Sequence, residues 1–329
     1  MRIRILIIVT LMVFASALSG CSSGSGGTKN DEPSPEEPQI FPIPVNVYGR
    51  YEEDGSQMLP RFSYTLTGVH EVDGRQGIAW YDGMYYVSGS TTLSVYDGEW
   101  NCLKVNDSPF EGMQTTANHI GDIDVYGGEI YAGVEYFMDG KASDLQIAVY
   151  DAITLKVVRT YPVNPESGQT EVSGITVDPD SGSVWMCSWE DGESGRYLYR
   201  YSLEDGTYLG KYHLQAPPQW IQGIVYYDGW IYITSDDGTA DLGEADHIYR
   251  CRVDTGVTSF SVMLERTLDD VILQGEIEGI SIDRETGRML VCYNRGSRIV
   301  LGMVRGFYEG YEREIHEVFV YEMHPMDRQ

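Results

Sequence analysis

Five segments of this chain repeat one pattern, and that repeat leaves few folds open. Each segment begins with a short apolar run around a Gly: QGIAWYDG (76–83), GDIDVYGG (121–128), SGITVDPDSG (173–182), QGIVYYDG (222–229) and EGISIDRETG (278–287). A second apolar run follows each: MYYVSGS, EIYAGVEY, SVWMCSWE, WIYITSDD and RMLVCYNR. A third run ends in an aromatic and an acid in most units, as in LSVYD, IAVYD and VFVYE. Four units carry a fourth run: WNCLKV, KVVRTYPV, TYLGKYHL and TSFSVMLERTL. The landmark glycines Gly77, Gly121, Gly174, Gly223 and Gly279 are spaced by 44, 53, 49 and 56 residues. Four short strands per unit, with Asp-Gly, Gly-Gly or Asp-Ser-Gly turns between the first two, describe the blades of a β-propeller. No long amphipathic helical stretch separates the runs, so βα units do not fit.

The fifth unit lacks a clear fourth strand, and RFSYTLTG (61–68) is a strand without a unit. Letting the second complete the first gives an all-β propeller of five four-stranded blades closed by an N-terminal strand. The alternative is six blades, with a degenerate one within 299–323.

Composition agrees. The 37 Gly and 25 Tyr suit short strands joined by tight turns. Acid outnumbers base, 50 Asp+Glu to 23 Lys+Arg, for a net charge of -27. Nucleic acid is therefore excluded as the main partner, because its affinity comes largely from basic side chains on phosphates. With 42% hydrophobic and 22% charged residues the chain can bury a core and is not an acidic disordered polymer.

The first residues read as an address. Arg2 and Arg4 precede an apolar stretch, Ile5 to Ala17, shorter than the roughly 20 residues a membrane span needs. This is the form of a signal peptide, 1–20. Leu18-Ser19-Gly20-Cys21 resembles a bacterial lipobox, which implies cleavage before Cys21, its lipidation and a bilayer partner. The Ser/Gly- then Pro/Glu-rich stretch over 21–44 has no apolar periodicity and reads as a flexible linker. The propeller is expected over 45–329, exported and held at the cell membrane or envelope.

Four cysteines remain: Cys102, Cys187, Cys251 and Cys292. Cys187 and Cys292 occupy matching places in two repeats, as small buried hydrophobes would. No CxxC or Cys/His cluster suggests zinc. Asp236, Asp237 and Asp241, with Glu244, Asp246 and His247 in one loop, raise calcium as a possible cofactor. A solvated acidic loop is the competing reading. Asp178-Pro179-Asp180-Ser181-Gly182 stands where a hairpin turn is required, and turn chemistry explains it.

In a propeller the first strand of each blade lines the central channel, and the loops after the second strand share a face with its mouth. The expected loops VEYFMDGKASD, SWEDGESGR and SDDGTADLGEADH are long and irregular, as loops that carry sites tend to be. Aligning the units places Gln76, Ile120, Ser173, Gln222 and Glu278 in one ring, with His119, Glu171, Trp220 and Glu276 just upstream. The exits of the second strands supply Ser90, Glu135, Trp189, Asp236 and Asn294. From these, Gln76, Trp189, Trp220, Gln222, Asp236 and Asn294 are the candidate ligand-binding residues. The Trp pair would be stacking platforms, and the acidic face favours a cation, a cationic ligand or a polyol over any phosphate. No G-x-S-x-G elbow, H-E-x-x-H helix or P-loop is present. His119 with Glu171 or Glu278 is the candidate acid/base pair.

The blade pattern over roughly 60–323 resembles bacterial exported propellers of the NHL, YncE-like and SdiA-regulated type, the last through Glu-Gly-Ile-Ser-Ile-Asp at 278–283. Gln76-Gly77-Ile78 and Glu278-Gly279-Ile280 also resemble steps of five-bladed glutaminyl cyclotransferases. That family's Trp-rich later blades have no counterpart here, so its catalysis is not carried over. These resemblances imply a fold and no specific function. The expectation is a membrane-tethered binding module for a small polar ligand, glycan or peptide. The alternatives are a hydrolase, lyase or cyclotransferase using the channel-mouth carboxylates, and a protein-interaction scaffold of the envelope.

Overall fold

The computed structural model describes residues 60–190, 192–271, 275–300 and 303–326. The proposed signal peptide, Cys21 and the linker lie outside the described residues.

The described chain is built from strands and three single turns of 3-10 helix. After β1 (Phe62–Glu71) come β2 (Gly77–Tyr81), β3 (Met84–Gly89), β4 (Thr92–Tyr96) and β5 (Cys102–Asn106), paired in sequence order as one antiparallel sheet. β6 (His119–Tyr126), β7 (Glu129–Met138), β8 (Lys141–Asp151) and β9 (Val157–Pro162) repeat this order. So do β10 (Ile175–Asp178), β11 (Ser183–Met186), β12 (Tyr197–Ser202) and β13 (Tyr208–Gln215). They are followed by β14 (Ile221–Tyr227), β15 (Trp230–Ser235), β16 (His247–Arg252) and β17 (Ser259–Thr267), and the outer strands β13 and β17 pair in parallel.

The last group is β18 (Gly275–Asp283), β19 (Arg288–Arg295), β20 (Ser297–Val300), β21 (Met303–Phe307) and β22 (Ile315–Pro325). Its sheet runs β18-β19-β22-β1, so the N-terminal strand supplies the outer edge and β20-β21 stands apart as a hairpin. The inner strands neighbour one another in a closed circuit: β2 beside β6, then β10, β14, β18, and back to β2. Sheets radiating from such a circuit are a β-propeller.

Local chemistry accounts for the pieces. The turns Asp82-Gly83, Gly127-Gly128 and Asp228-Gly229 have positive φ at both residues, the type I′ geometry that matches strand twist and needs Gly, Asn or Asp. Asp178 accepts the N–H groups of Asp180 and Ser181, so that segment is a self-capped turn. The Ile that follows each landmark Gly is buried (Ile78, Ile123, Ile175, Ile224, Ile280) and packs between adjacent sheets. Each such burial contributes about 1.5–3 kcal/mol. Cys187, Cys251 and Cys292 are free and buried, and Cys102 is free and exposed. One expected loop is corrected. VEYFMDGKASD continues β7 and β8 as paired strands through the Asp139-Gly140 turn, where both residues have positive φ.

The landmark glycines are explained at the centre of the ring. A Cβ on Gly279 would sit 2.2 Å from Asp122 Oδ1 and 2.6 Å from the Gly77 Cα. On Gly223 it would sit 2.7 Å from the Gly279 Cα. The inner strands approach too closely for any side chain there. Asp122 fills what space remains, its carboxylate accepting the N–H groups of Ile123 and Ile224. Burial pushes its carboxyl well above the ordinary range.

Candidate functional site

Above this seal lies a cavity of about 190 Å³ at the ring mouth. The irregularity of the inner strands shapes it. Register shifts fall at Ile120/Ile123 in β6, Ile221/Ile224 in β14 and Ile277/Ile280 in β18. In each strand the shift spans the landmark Gly. Bulges re-aim side chains out of the pleat, and the residues between those isoleucines include Asp122, Gln222 and Glu278, all of which line the cavity. Every four-stranded unit contributes: Arg75 and Gln76 before β2, His119 on β6, Glu171 before β10 with Trp189 after β11, Gln222 on β14, and Glu276 and Glu278 on β18.

A hydrogen-bonded chain crosses the cavity wall. Gln76 Nε2 donates to Glu278 Oε1 at 3.0 Å, and Gln76 Oε1 lies 2.7 Å from His119 Nε2. His119 Nδ1 lies 3.2 Å from Oε1 of Glu135, a fully buried residue whose other oxygen accepts the Val172 N–H at 2.9 Å. Which ring nitrogen of His119 donates depends on its tautomer and on the orientation of the Gln76 amide.

The carboxylates are buried and crowded. Burial pushes Glu278 well above the ordinary carboxylate range, and the neighbouring Glu276 adds to the effect. Glu276 is also raised by burial; Arg75 and a hydrogen bond with Glu278 oppose the rise. Two carboxyls so placed hold one proton between them more readily than two charges. Gln222 Nε2 donates to Glu276 at 3.3 Å. Arg75 Nη1 is 3.8 Å from Glu276, beyond hydrogen-bond reach, and has no hydrogen-bond partner among the described residues. Glu171 is likewise pushed well up, by burial and then by Glu135. Its Oε2 accepts the Trp189 N–H at 2.5 Å.

Six of the expected residues line the cavity: Gln76, His119, Glu171, Trp189, Gln222 and Glu278. Three do not. Trp220 packs on Trp189 with ring centroids 4.8 Å apart and backs it from outside the lining. Asp236 lies outside the lining, and burial first, then the neighbouring Glu276, pushes its carboxyl well above the ordinary range. Asn294 is fully buried opposite Glu276 in the β18–β19 ladder and accepts the Ser297 hydroxyl proton. The acid/base pairing is also different from expectation: His119 meets Glu135 directly, reaches Glu278 only through Gln76, and is not bonded to Glu171.

Asp237 is taken by His247 and Tyr249, and Asp241 by Arg298. Among the described residues no three His, Cys, Asp or Glu side chains could hold a metal together. Sequence reasoning missed Arg75, Asn118 and Phe137 in the lining. Arg75 was open to it, as the one arginine directly preceding an aligned ring position.

No family model matches the chain, and no curated protein matches it. Solved structures of similar shape include the PQQ-bound aldose sugar dehydrogenase of Streptomyces coelicolor (11% identity, 80% of this chain and 99% of that one, TM-score 0.44). A gluconolactonase of Xanthomonas campestris is another (11% identity, 72% and 68% covered, TM-score 0.41). A third is the Pan2 WD40 domain of Neurospora crassa (8% identity, 85% and 70% covered, TM-score 0.38). At such values none of them assigns a residue or an activity to this chain.

Proposed function

We propose that this chain is a five-bladed propeller that binds one small polar molecule in the ring-mouth cavity. Within 299–323 the described residues belong to β20, β21 and β22, and the pairing of β22 with β19 and β1 supports the five-bladed reading over a sixth blade. In the same reading the signal peptide is removed, Cys21 is lipidated, and the linker holds the propeller at the surface of a bacterial membrane.

The observation that carries the binding reading is the cavity itself. It is sealed below by Asp122 and the glycine contacts, and polar side chains from every blade converge on it. Concave sites with a few convergent polar groups and shifted carboxyls are where ligands bind. Its volume is below the roughly 300–1,000 Å³ typical of drug-sized sites, which suits a molecule the size of one sugar or amino acid. The test is a thermal-shift screen of small polar compounds. A true ligand loses its effect in Trp189→Ala plus Glu278→Gln; a hit untouched by both changes rejects this cavity.

A second reading, acid/base catalysis, is favoured by the shared proton of Glu276 and Glu278 beside the Gln76–His119 link. A carboxylic acid kept neutral by burial can donate a proton, and the link offers a route to replace it. Turnover of any screened substrate that survives both Glu278→Gln and His119→Ala refutes this reading.

A further inference from the structure

Two features of the cavity bear on the charge of its occupant. Glu171 is 6% exposed, and only its Oε2 is engaged, by the Trp189 N–H; Oε1 has no hydrogen-bond partner among the described residues. Basic groups are scarce: the lining has only Arg75, poorly placed for its own neighbour Glu276, and His119, already committed to Glu135 and Gln76. A buried carboxylate with an empty acceptor and no counter-charge is costly. The same wall carries the aromatic residue Trp189, whose ring centroid lies 4.8 Å from that of Trp220.

We propose that the cavity takes a small organic ammonium compound, its cationic head on the free oxygen of Glu171 and against the ring of Trp189. The assignment rests on the small-ligand reading above and adds the ligand's chemical class. An ammonium N–H satisfies the empty acceptor, its charge offsets the carboxylate, and its face contact with an indole contributes further. A neutral polyol supplies the hydrogen bond without the charge. An anion meets Glu171, Glu276 and Glu278 at once.

Binding also moves a proton. The titratable groups acting on Glu171 are Glu135 from β7 and Glu190 beyond β11, and with burial they favour its protonated form. A docking ammonium favours the ionised form, so the carboxyl releases its proton to solvent as the cation arrives, with no covalent change in the ligand. Affinity therefore rises with pH across the range in which free Glu171 still holds that proton.

The test is calorimetric titration of the purified full chain in phosphate buffer at pH 6, 7 and 8. The probes are ethanolamine, methylamine and putrescine, with glycerol and ethylene glycol as neutral counterparts. Saturable binding of an ammonium probe is expected, tightening as the pH rises. It should weaken by about tenfold or more in Glu171→Gln and in Trp189→Leu, and Glu171→Gln should flatten the pH dependence. Trp189→Leu keeps the backbone N–H on Glu171, so it decides the matter if Glu171→Gln does not fold. Silence of all three ammonium probes overturns the assignment, as does ammonium binding unchanged in both variants. If glycerol or ethylene glycol binds instead and is lost in Trp189→Leu, the cavity remains the site and the cationic assignment alone falls.

Discussion

Replacing Glu265 with Ala should loosen the ring where its two ends meet. Glu265 is 2% exposed on β17, in the blade before the one that β1 completes. Its carboxylate accepts the Arg61 and Phe62 N–H groups at 3.1 Å each, the Tyr64 hydroxyl at 2.7 Å and Arg250 Nη1 at 2.5 Å. One buried side chain thus clasps the start of β1 to a neighbouring blade. Breaking a buried ion pair by removing one partner costs about 3–5 kcal/mol, and at roughly 2–4 °C per kcal/mol for a domain of this class that is about 6–20 °C in Tm. Glu265→Gln keeps the shape and part of the acceptor set, so it should cost less than half as much. The assay is thermal unfolding together with hydrogen exchange. In Glu265→Ala the β1 amides, Phe62–Glu71, should exchange faster relative to β7 or β15, because β1 is the strand released. A Tm within about 2 °C of the parent, or protection lost evenly across all sheets, would refute the clasp.

Three further outcomes follow. Gly279→Ala forces a methyl against Asp122 Oδ1 and the Gly77 Cα; overpacking of this kind costs about 1–3 kcal/mol or more, so the Tm should drop, and a variant as stable as the parent contradicts the close approach. Burial holds Asp246 at about 7 and raises Glu171, Glu278 and Asp122. Carboxyls raised on folding stabilise below their unfolded value, near 4, and that stability is lost as pH rises through the folded value. The Tm should therefore fall between pH 5 and 8, and Asp246→Asn should flatten the part up to about 7, as melts across that range will report. Of the four described thiols only Cys102 should react with a thiol reagent in the native protein, since Cys187, Cys251 and Cys292 are buried. Envelope-purified protein should then label once if Cys21 is acylated, and twice if its thiol is free.

Much of the architecture is legible in the sequence because each blade carries its own local code. The Asp-Gly and Gly-Gly turns fix the hairpins, and the buried Ile after each landmark Gly fixes the face. The orphan strand at 61–68 is placed by subtraction, and β1 does pair with β22. What stays hidden is the third dimension of the side chains. The alignment gathers Gln76, Gln222 and Glu278 because each sits one step before a Gly, but it cannot show that Gly223 and Gly279 lie in bulges while Gly77 does not. Asn294 and Asp236 occupy equivalent strand exits and still do not line the cavity; Asn294 is paired with Glu276 in a ladder. The Glu135–His119 bond joins the exit of one strand to the start of another across a single ladder step, and no spacing rule singles it out. The acids of the 236–246 loop left calcium and a solvated loop both open, and spacing could not show that Asp237 and Asp241 turn to separate partners.

The most direct measurement is a crystal structure of the protein soaked with the compound that gives the largest thermal shift. Electron density bounded by Trp189, Gln222 and Glu278, above Asp122, is the result expected of a ring-mouth binding site. Density for that compound on the outer strands of the blades, with the ring-mouth cavity holding only water, contradicts it.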